Sequence, residues 1–526
     1  MKKVTTLLSL VLLICILLAG CSKGASSSGA ANQQASSTKA RDVLRIGGYD
    51  EEWEAADLIQ SDTFIDIQMT IAEPLFVVNV QTGALEGCLA TTPVFNKEGT
   101  QMTFEIPAGR TFPNGAALDA GDVKASLEHG IKNGAMSDVF QIITDIKVDG
   151  NKLTVSMTSY STVLMTLLVS PFFCVIDSAQ LSSMSNEDLI WGAVPFGPYS
   201  ITSYTPGKGV TLKRNDGFKT LNPYVKNKGP AYIPTIEVLW YQDQFAMISA
   251  FETGELDMLI SVTEDAVHAL GSRKDVIVSS SLPPMVRNVQ MNPNRGVLKD
   301  EKIRRAIAYL IDRNNIVEAF GGDLFCTPAY GYITKNVLFH TPQTYDYFKA
   351  NYANNPEKAM QLLAEAGWSQ KNSAGMLVKD GKTMALTFNT AAGKNETAAL
   401  AIQMQLRKAG LDVNLVTTSE VNSLAAKGEY DLTMCNYWWS DPSRFLVRCF
   451  RDHNAFDETE IKKMAKQVET VTDNELRFKL VDQTQRYLMD KIIVLPLYTT
   501  SYIKIYRSEL APVVFIVDGL FTNDLK

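Results

Sequence analysis

The apolar positions along this chain switch repeatedly between a strand pattern and a helix pattern. "VLRIGGYD" (43–50) and "KLTVSMTS" (152–159) have the composition of strands. "PEKAMQLLAEAGW" puts Ala359, Leu362, Leu363 and Ala366 on one helical face and stops at Gly367. "KIRRAIAYLIDRNNIVEAF" places Ile303, Ile307, Leu310 and Ile311 on one stripe and predicts a helix closed by the following "GG". A further helix, "AALAIQMQLRKAG", runs directly into "LDVNLVTT", the helix-to-strand step that builds parallel sheets. This alternation predicts an α/β architecture with more than one lobe.

The first residues follow neither pattern. Lys2 and Lys3 precede an apolar core of 13 residues, Leu7 to Ala19, interrupted only by Ser9 and followed by the small residues of "LLAGCSKG". A membrane-spanning helix needs about 20 residues, so the core reads as a signal peptide over 1–20. "LAGC" resembles the lipobox of bacterial lipoproteins, which implies that Cys21 is acylated and becomes the mature N-terminus; an ordinary secretory signal is the alternative. Residues 22–41 are mostly Ser, Ala, Gly, Gln and Asn. Such a segment buries too little apolar surface to offset its ordering entropy and is expected to be a flexible tether. The remaining body, about 485 residues in a chain that is 46% hydrophobic, is large enough for two or three domains.

Loss of the leader removes two lysines and no acid, taking the formal charge from −7 to −9. That balance argues against nucleic acid or anionic lipid as a ligand. Cys88, Cys174, Cys326, Cys435 and Cys449 have no CxxC spacing and suggest buried thiols; Cys435 and Cys449 are the close pair, and their joining is left open.

Enzyme signatures are absent or incomplete. "GMLVKDGKT" (375–383) approaches a phosphate loop, but its glycines are one residue too far apart, and "MALTFNT" after it reads as a strand where that loop requires a helix. There is no GxSxG elbow and no HExxH, and the four histidines are scattered at 129, 268, 340 and 453. The expectation is a protein that is not an enzyme and needs no cofactor.

The order of several segments carries more. "MTFEIPAGRTFPNGAALDAGDVKASLEHG", "VPFGPYSI", "AFETGELDML", "VRNVQMNPNRGVLKDEKIRRAIAYLIDRNNIV", "PEKAMQLLAEAGW", "EYDLTM", "DPSRFL" and "IIVLPLY" follow one another over about residues 43–500. In this order they are similar to the extracytoplasmic solute-binding proteins of the peptide and nickel family of ABC transporters. In the first of these segments the family has a helix opened by an Asp-Val pair. The resemblance implies a two-lobed, periplasmic-binding-protein-like fold with a hinge and an extra inserted domain. Carried onto this chain, the first lobe is discontinuous (42–82, 194–285 and 500–526), the insertion is 83–193, and the second lobe is 286–499. It further implies closure over a ligand, read by ABC permease subunits. A monomer on the outer face of the cell membrane, held there by its lipid, is expected.

In peptide-binding members an Asp-Pro here sets its carboxylate against the peptide's α-amino group, a role that falls on Asp441 within "NYWWSDPSRFLVRCF" (436–450). An ammonium taken out of water is costly unless it meets a charge, so an enclosed site needs a fixed carboxylate. Tyr437, Trp438 and Trp439 would supply flat apolar walls; a buried aromatic cluster beside an Asp-Pro turn is the structural alternative. Relatives commonly carry a tryptophan five or six residues before the Asp, whereas here they lie three and two before it, so which one faces the cleft is open. Nickel-binding members resemble "DPHxF", and Ser443 stands where their histidine does, which weakens a metal reading. His453 is a weak candidate ligand. Tyr49 and Trp53, beyond the first strand of the body, are candidates because ligands in α/β sheets sit past the carboxyl ends of strands; the neighbouring acids Asp50 to Glu52 are solvated or face a cation. Arg287 could take a ligand carboxylate bidentately, or serve as an interlobe salt bridge, and Arg444 and Arg448 could act likewise. The leading expectation is capture of peptides or another small peptide-like solute, with nickel or another metal bound as a small-molecule chelate as the alternative. A receptor read by a sensor instead of a transporter would be a different class.

Overall fold

The computed structural model describes residues 41–49, 68–79, 82–134, 136–170, 173–260, 262–335, 339–438, 441–443, 459–510, 513–516 and 519–526. The expected leader, Cys21 and tether, the segment Asp50 to Trp53, Trp439, Arg444, Arg448, Cys449 and His453 lie outside the described residues; of Tyr49, Tyr437 and Trp438 the backbone is described.

Two large sheets organise the chain. The first has seven strands in the order Val276–Ser281, Tyr502–Arg507, Met258–Ile260, Val43–Tyr49, Thr235–Tyr241, Gly209–Arg214, Tyr199–Thr205. Val43–Tyr49 lies at its centre, parallel to both neighbours. Its residues alternate as period two demands: Leu44 and Ile46 enter one apolar core with Val238 and Met258, while Leu259 and Ile505 face the helix Gln244–Thr253 on the other side. The second sheet has six strands in the order Cys326–Pro328, Val494–Thr500, Met285–Met291, Leu432–Trp438, Ala385–Thr390, Asp412–Thr417. The expected helix-to-strand step is present: helix Lys394–Ala409 connects Ala385–Thr390 to its parallel partner Asp412–Thr417. A third sheet of four strands, all within residues 94–157, packs its own core around Phe104, Leu127, Leu153 and Phe173. The chain passes from the first sheet to the second between Ser281 and Met285 and returns between Thr500 and Tyr502.

Local details follow from particular residues. Helix Pro356–Glu365 buries Ala359 and Leu363 fully and ends before Gly367, whose φ of 89° is the left-handed value that glycine adopts without a Cβ penalty. The "KDGK" stretch is a hairpin turn: Asp380 and Gly381 both have positive φ between strands Leu377–Lys379 and Lys382–Thr383, which rules out a phosphate loop there.

Two expectations differ from what forms. The stripe from Ile303 to Ile311 was expected within one helix, but Glu301–Leu310 and Arg313–Ala319 are separate helices. Asp312 caps the second by accepting the Asn314 N–H at 2.9 Å, and its own N–H is taken by Gln405 from the helix Lys394–Ala409. The Asp-Val pair of "DAGDVK" sits inside its helix and does not open it. Helix Ala120–Asn133 is capped by Asp119, and Asp122 closes the reciprocal capping box on the Asp119 N–H at 2.9 Å. Cys88, Cys174 and Cys326 are buried. Among the described residues no helix is long and apolar enough to cross a membrane.

Candidate functional site

The strand Leu432–Trp438 carries the chain toward Asp441 from the middle of the second sheet. It runs parallel to Ala385–Thr390 and antiparallel to Met285–Met291, so Trp438 is in register with Met285 and Asn436 with Arg287. The carboxyl ends of the two parallel strands therefore bring Asn436, Asp441, Arg287 and the start of helix Lys394–Ala409 to one edge of the sheet, the edge where α/β proteins bind ligands.

Asp441 is 2% exposed. Its Oδ1 accepts from the Ser443 N–H at 2.9 Å and from the Ser443 hydroxyl, the local bonding that favours Asp at the head of a turn. Its Oδ2 accepts from the guanidinium of Arg477, itself buried on helix Asn474–Lys491. Burial pushes the Asp441 pKa up, but Arg477 and the Ser443 donors outweigh it and the net direction is down. Arg477 also donates to the Val468 carbonyl at 3.0 Å and lies over the Phe339 ring at 4.5 Å. The Thr166 hydroxyl, from helix Thr162–Leu168, stands 3.4 Å from Oδ2 while bonding the Thr162 carbonyl at 2.9 Å. A hydroxyl has one proton, so the shorter bond takes it, and the approach to Asp441 is the weaker contact.

Two further contacts join the same regions. Ser161 Oγ donates to Glu469 at 3.0 Å, and Asn474 donates to the Thr82 carbonyl at 3.0 Å. Tyr160 is held above its ordinary pKa by burial, with Asp441 adding to the shift and Arg477 opposing it.

Arg287 is half-buried. Its Nη1 donates to Asn395 Oδ1 at 2.7 Å, and Asn395 in turn donates to Asn436 at 3.3 Å. Its Nε is buried and has no hydrogen-bond partner, and no carboxylate lies within ion-pairing distance among the described residues. Asn395 is the second residue of the 16-residue helix Lys394–Ala409, whose N-cap position is Gly393 and has no side-chain cap. The positive end of the helix dipole thus adjoins an arginine without a counter-ion among the described residues.

The structure brings Asp441 and Arg287 to one edge of the sheet with the backbones of Tyr437 and Trp438; Tyr49 ends the central strand of the other sheet, in register with Tyr241. Among the described residues no group of three or more His, Cys, Asp and Glu could hold a metal ion. Sequence reasoning missed Arg477. The available signal was its period: Arg477, Val481, Thr484 and Leu488 share the buried face of one helix, and a charge on such a face requires a counter-charge.

The family model described as "Bacterial extracellular solute-binding proteins, family 5 Middle" matches residues 84–457. The oligopeptide-binding protein AppA of Bacillus subtilis is 23% identical over 482 residues, covering 88% of this chain and 84% of that protein. The nickel-binding protein NikA of Staphylococcus aureus is 23% identical over 381 residues, covering 72% of this chain and 70% of its own length. Among solved structures, NikA from Brucella suis in complex with Fe(III)-EDTA superposes with a TM-score of 0.77 at 22% identity, covering 92% of this chain and 99% of that one. The two large sheets and the double crossing between them are thus the two-lobed fold of a binding protein.

Proposed function

The chain belongs to the bacterial extracellular solute-binding proteins of family 5, and on that premise we propose that it is the substrate-binding component of an ABC importer, taking peptides or peptide-like solutes into a cleft between its lobes. The first lobe is 42–82, 194–285 and 500–526, the insertion 83–193 and the second lobe 286–499, a division that the strand membership of the three sheets supports to within one residue at 285 and 500. Cys21 carries the lipid that holds a monomer on the outer face of the membrane beside its permease subunits, a reading supported by "LAGC" after a short apolar core.

The observation that carries the ligand reading is Arg287 beside the uncapped start of helix Lys394–Ala409. A carboxylate placed there would receive charge-assisted bonds from both, and a peptide brings one at its C-terminus. Asp441 would meet the ammonium at the other end, with Tyr437, Trp438, Trp439, Tyr49, Trp53 and Arg444 as candidate walls and further contacts. Because Arg477 already pairs with Asp441, a ligand ammonium must displace the Thr166 contact or share Oδ2 with the guanidinium. The nickel protein among the relatives supports a second reading, a metal held as an organic chelate whose carboxylates meet the same arginine.

A native mass spectrum of the mature chain as purified tests this, followed by thermal melts with a peptide mixture and with nickel chelates. A ladder of released peptide masses, or stabilisation of about 2.7 kcal/mol at a hundredfold excess over Kd by peptides alone, supports the first reading. One discrete mass with a metal isotope pattern, or stabilisation by chelate alone, replaces it with the second.

A further inference from the structure

A second buried polar site lies where the C-terminal tail closes on the chain. Glu73 is 5% exposed, and its backbone N–H donates to the Phe196 carbonyl at 2.8 Å. One carboxyl oxygen accepts from the Cys88 thiol at 3.4 Å, and Thr220 lines the same cavity. The other oxygen, Oε2, is buried with no partner, and so is the hydroxyl of Thr522. Both residues line one cavity, with Cys88, Phe218, Thr220 and Asn523, whose space for water is about 20 Å³. That is room for one ordered water, which needs polar partners such as these two.

The tail forms the lid of this cavity. The Asp524 carboxylate accepts the N–H groups of Lys226 at 2.9 Å and Asn227 at 2.7 Å. Asn523 donates to the Asn227 and Gly229 carbonyls, and Leu525 is buried in the apolar core of the seven-stranded sheet. The charged and titratable groups around Glu73 are the Cys88 thiol, the Arg110 guanidinium and the Lys228 ammonium, with Asp524 on the tail itself. Arg110 does not neutralise Glu73 by direct contact: its Nε and Nη1 bond the Pro107 and Leu89 carbonyls, and its Nη2 is buried without a partner.

We propose that Glu73 is a buried proton-binding site: as the neutral acid it bonds one ordered water shared with Thr522 and holds the tail Thr522–Leu525 closed, and loss of the proton releases the tail. An ionised carboxylate here would be a buried charge without a bonded cation, which is costly, whereas the neutral acid carries no charge and can donate its proton to a water that also bonds the Thr522 hydroxyl. Burial accordingly pushes the Glu73 carboxyl up to about 7, against the opposing pull of Thr220, Cys88, Arg110 and Lys228. Burial likewise keeps the Cys88 thiol well above its ordinary range, so it stays protonated where Glu73 titrates.

The sign of the linkage is fixed. With the tail open, the carboxyl returns to its ordinary value of 4.5, and with the tail closed it binds its proton up to about 7. Between those values opening releases one proton, so the opening constant rises about tenfold per pH unit, about 300-fold in all, and levels off above about pH 7.

Hydrogen exchange of the peptide covering residues 519–526, in the full mature chain and corrected for the intrinsic pH dependence of exchange, reads this constant. The wild type is expected to follow the rise and plateau, Glu73→Gln to stay closed at every pH, and Cys88→Ala to keep the wild-type slope. A flat wild-type profile between about pH 5 and 7, or a slope that survives in Glu73→Gln, overturns the proposal. Infrared spectra of the wild type supply a readout independent of any variant: at about pH 6, where ordinary carboxylates are ionised, a carboxylic-acid carbonyl band is expected that vanishes by about pH 8. Absence of that band at pH 6 overturns it equally.

Discussion

Asp441 and Arg477 form a buried ion pair whose members sit 36 positions apart, and each is costly without the other. Removing one partner of such a pair typically costs about 3–5 kcal/mol, because the remaining charge is stranded in a poor dielectric. Arg477→Met is therefore expected to lower stability by about that amount in denaturant titrations, and Asp441→Asn with Arg477→Met to cost less than the sum of the two single changes. The acid limb follows from the direction of the Asp441 shift. A carboxyl held below its ordinary value adds stability that is present above its unfolded pKa and lost as pH falls through the folded one, so the pair's contribution fades below about pH 4, and Asp441→Asn should flatten that limb. Arg287 is the opposite case, an arginine with no carboxylate near it among the described residues. Arg287→Gln is expected to leave the melting temperature nearly unchanged and to weaken a carboxylate-bearing ligand by about 2–3 kcal/mol in calorimetry, while an amidated analogue binds both proteins alike.

At the scale of elements, the segments that carried the family resemblance owe their residues to caps and close approaches. Asp119 accepts the Gly121 N–H at 2.6 Å, and Asp122 accepts both the Asp119 and the Ser178 N–H at 2.9 Å, tying the start of helix Ala120–Asn133 to that of helix Ser178–Ser183, 56 residues away. Asp119→Ala should cost about 1 kcal/mol and Asp122→Ala about 2, since Asp122 is itself buried and its loss also unties the Ser178 N–H of a distant segment. In "FGPYS", a Cβ at Gly197 would meet the Ile71 carbonyl oxygen at 2.2 Å, so two backbone segments cross there with no space for a side chain. Gly197→Ala is expected to destabilise by about 1–3 kcal/mol, read as a lowered melting temperature. Tyr199, two residues on, is fully buried and donates to the Ile233 carbonyl at 2.7 Å, which explains a tyrosine in place of phenylalanine.

At the scale of the molecule, the chain crosses twice between the large sheets, and the polar contacts Ser161 to Glu469 and Asn474 to Thr82 tie the 82–168 region to helices Thr459–Thr470 and Asn474–Lys491. A charge-assisted hydrogen bond is worth about 1.5 kcal/mol or more when buried and less at a surface. If these contacts close the molecule, Ser161→Ala with Asn474→Ala should shift its open–closed ratio by about threefold to tenfold. Small-angle scattering of the ligand-free protein checks this as an increased radius of gyration that saturating ligand reverses.

What the sequence determined by itself was local or ordered along the chain: the apolar faces of helix Pro356–Glu365, the parallel step from Lys394–Ala409 into Asp412–Thr417, and the succession of segments that marks the family. The first two depend on backbone period and on which face is buried, both written within a dozen or so residues, and the third on the order of short segments along the chain. The tertiary structure decided the rest. It broke the stripe at Ile311 by bringing Gln405 to the Asp312 N–H, paired Asp441 with Arg477, left Arg287 beside an uncapped helix, and buried Glu73 beneath the tail. Each of these depends on groups tens to hundreds of residues apart meeting in a medium of low dielectric, where the partner, more than the residue, sets what a charge does.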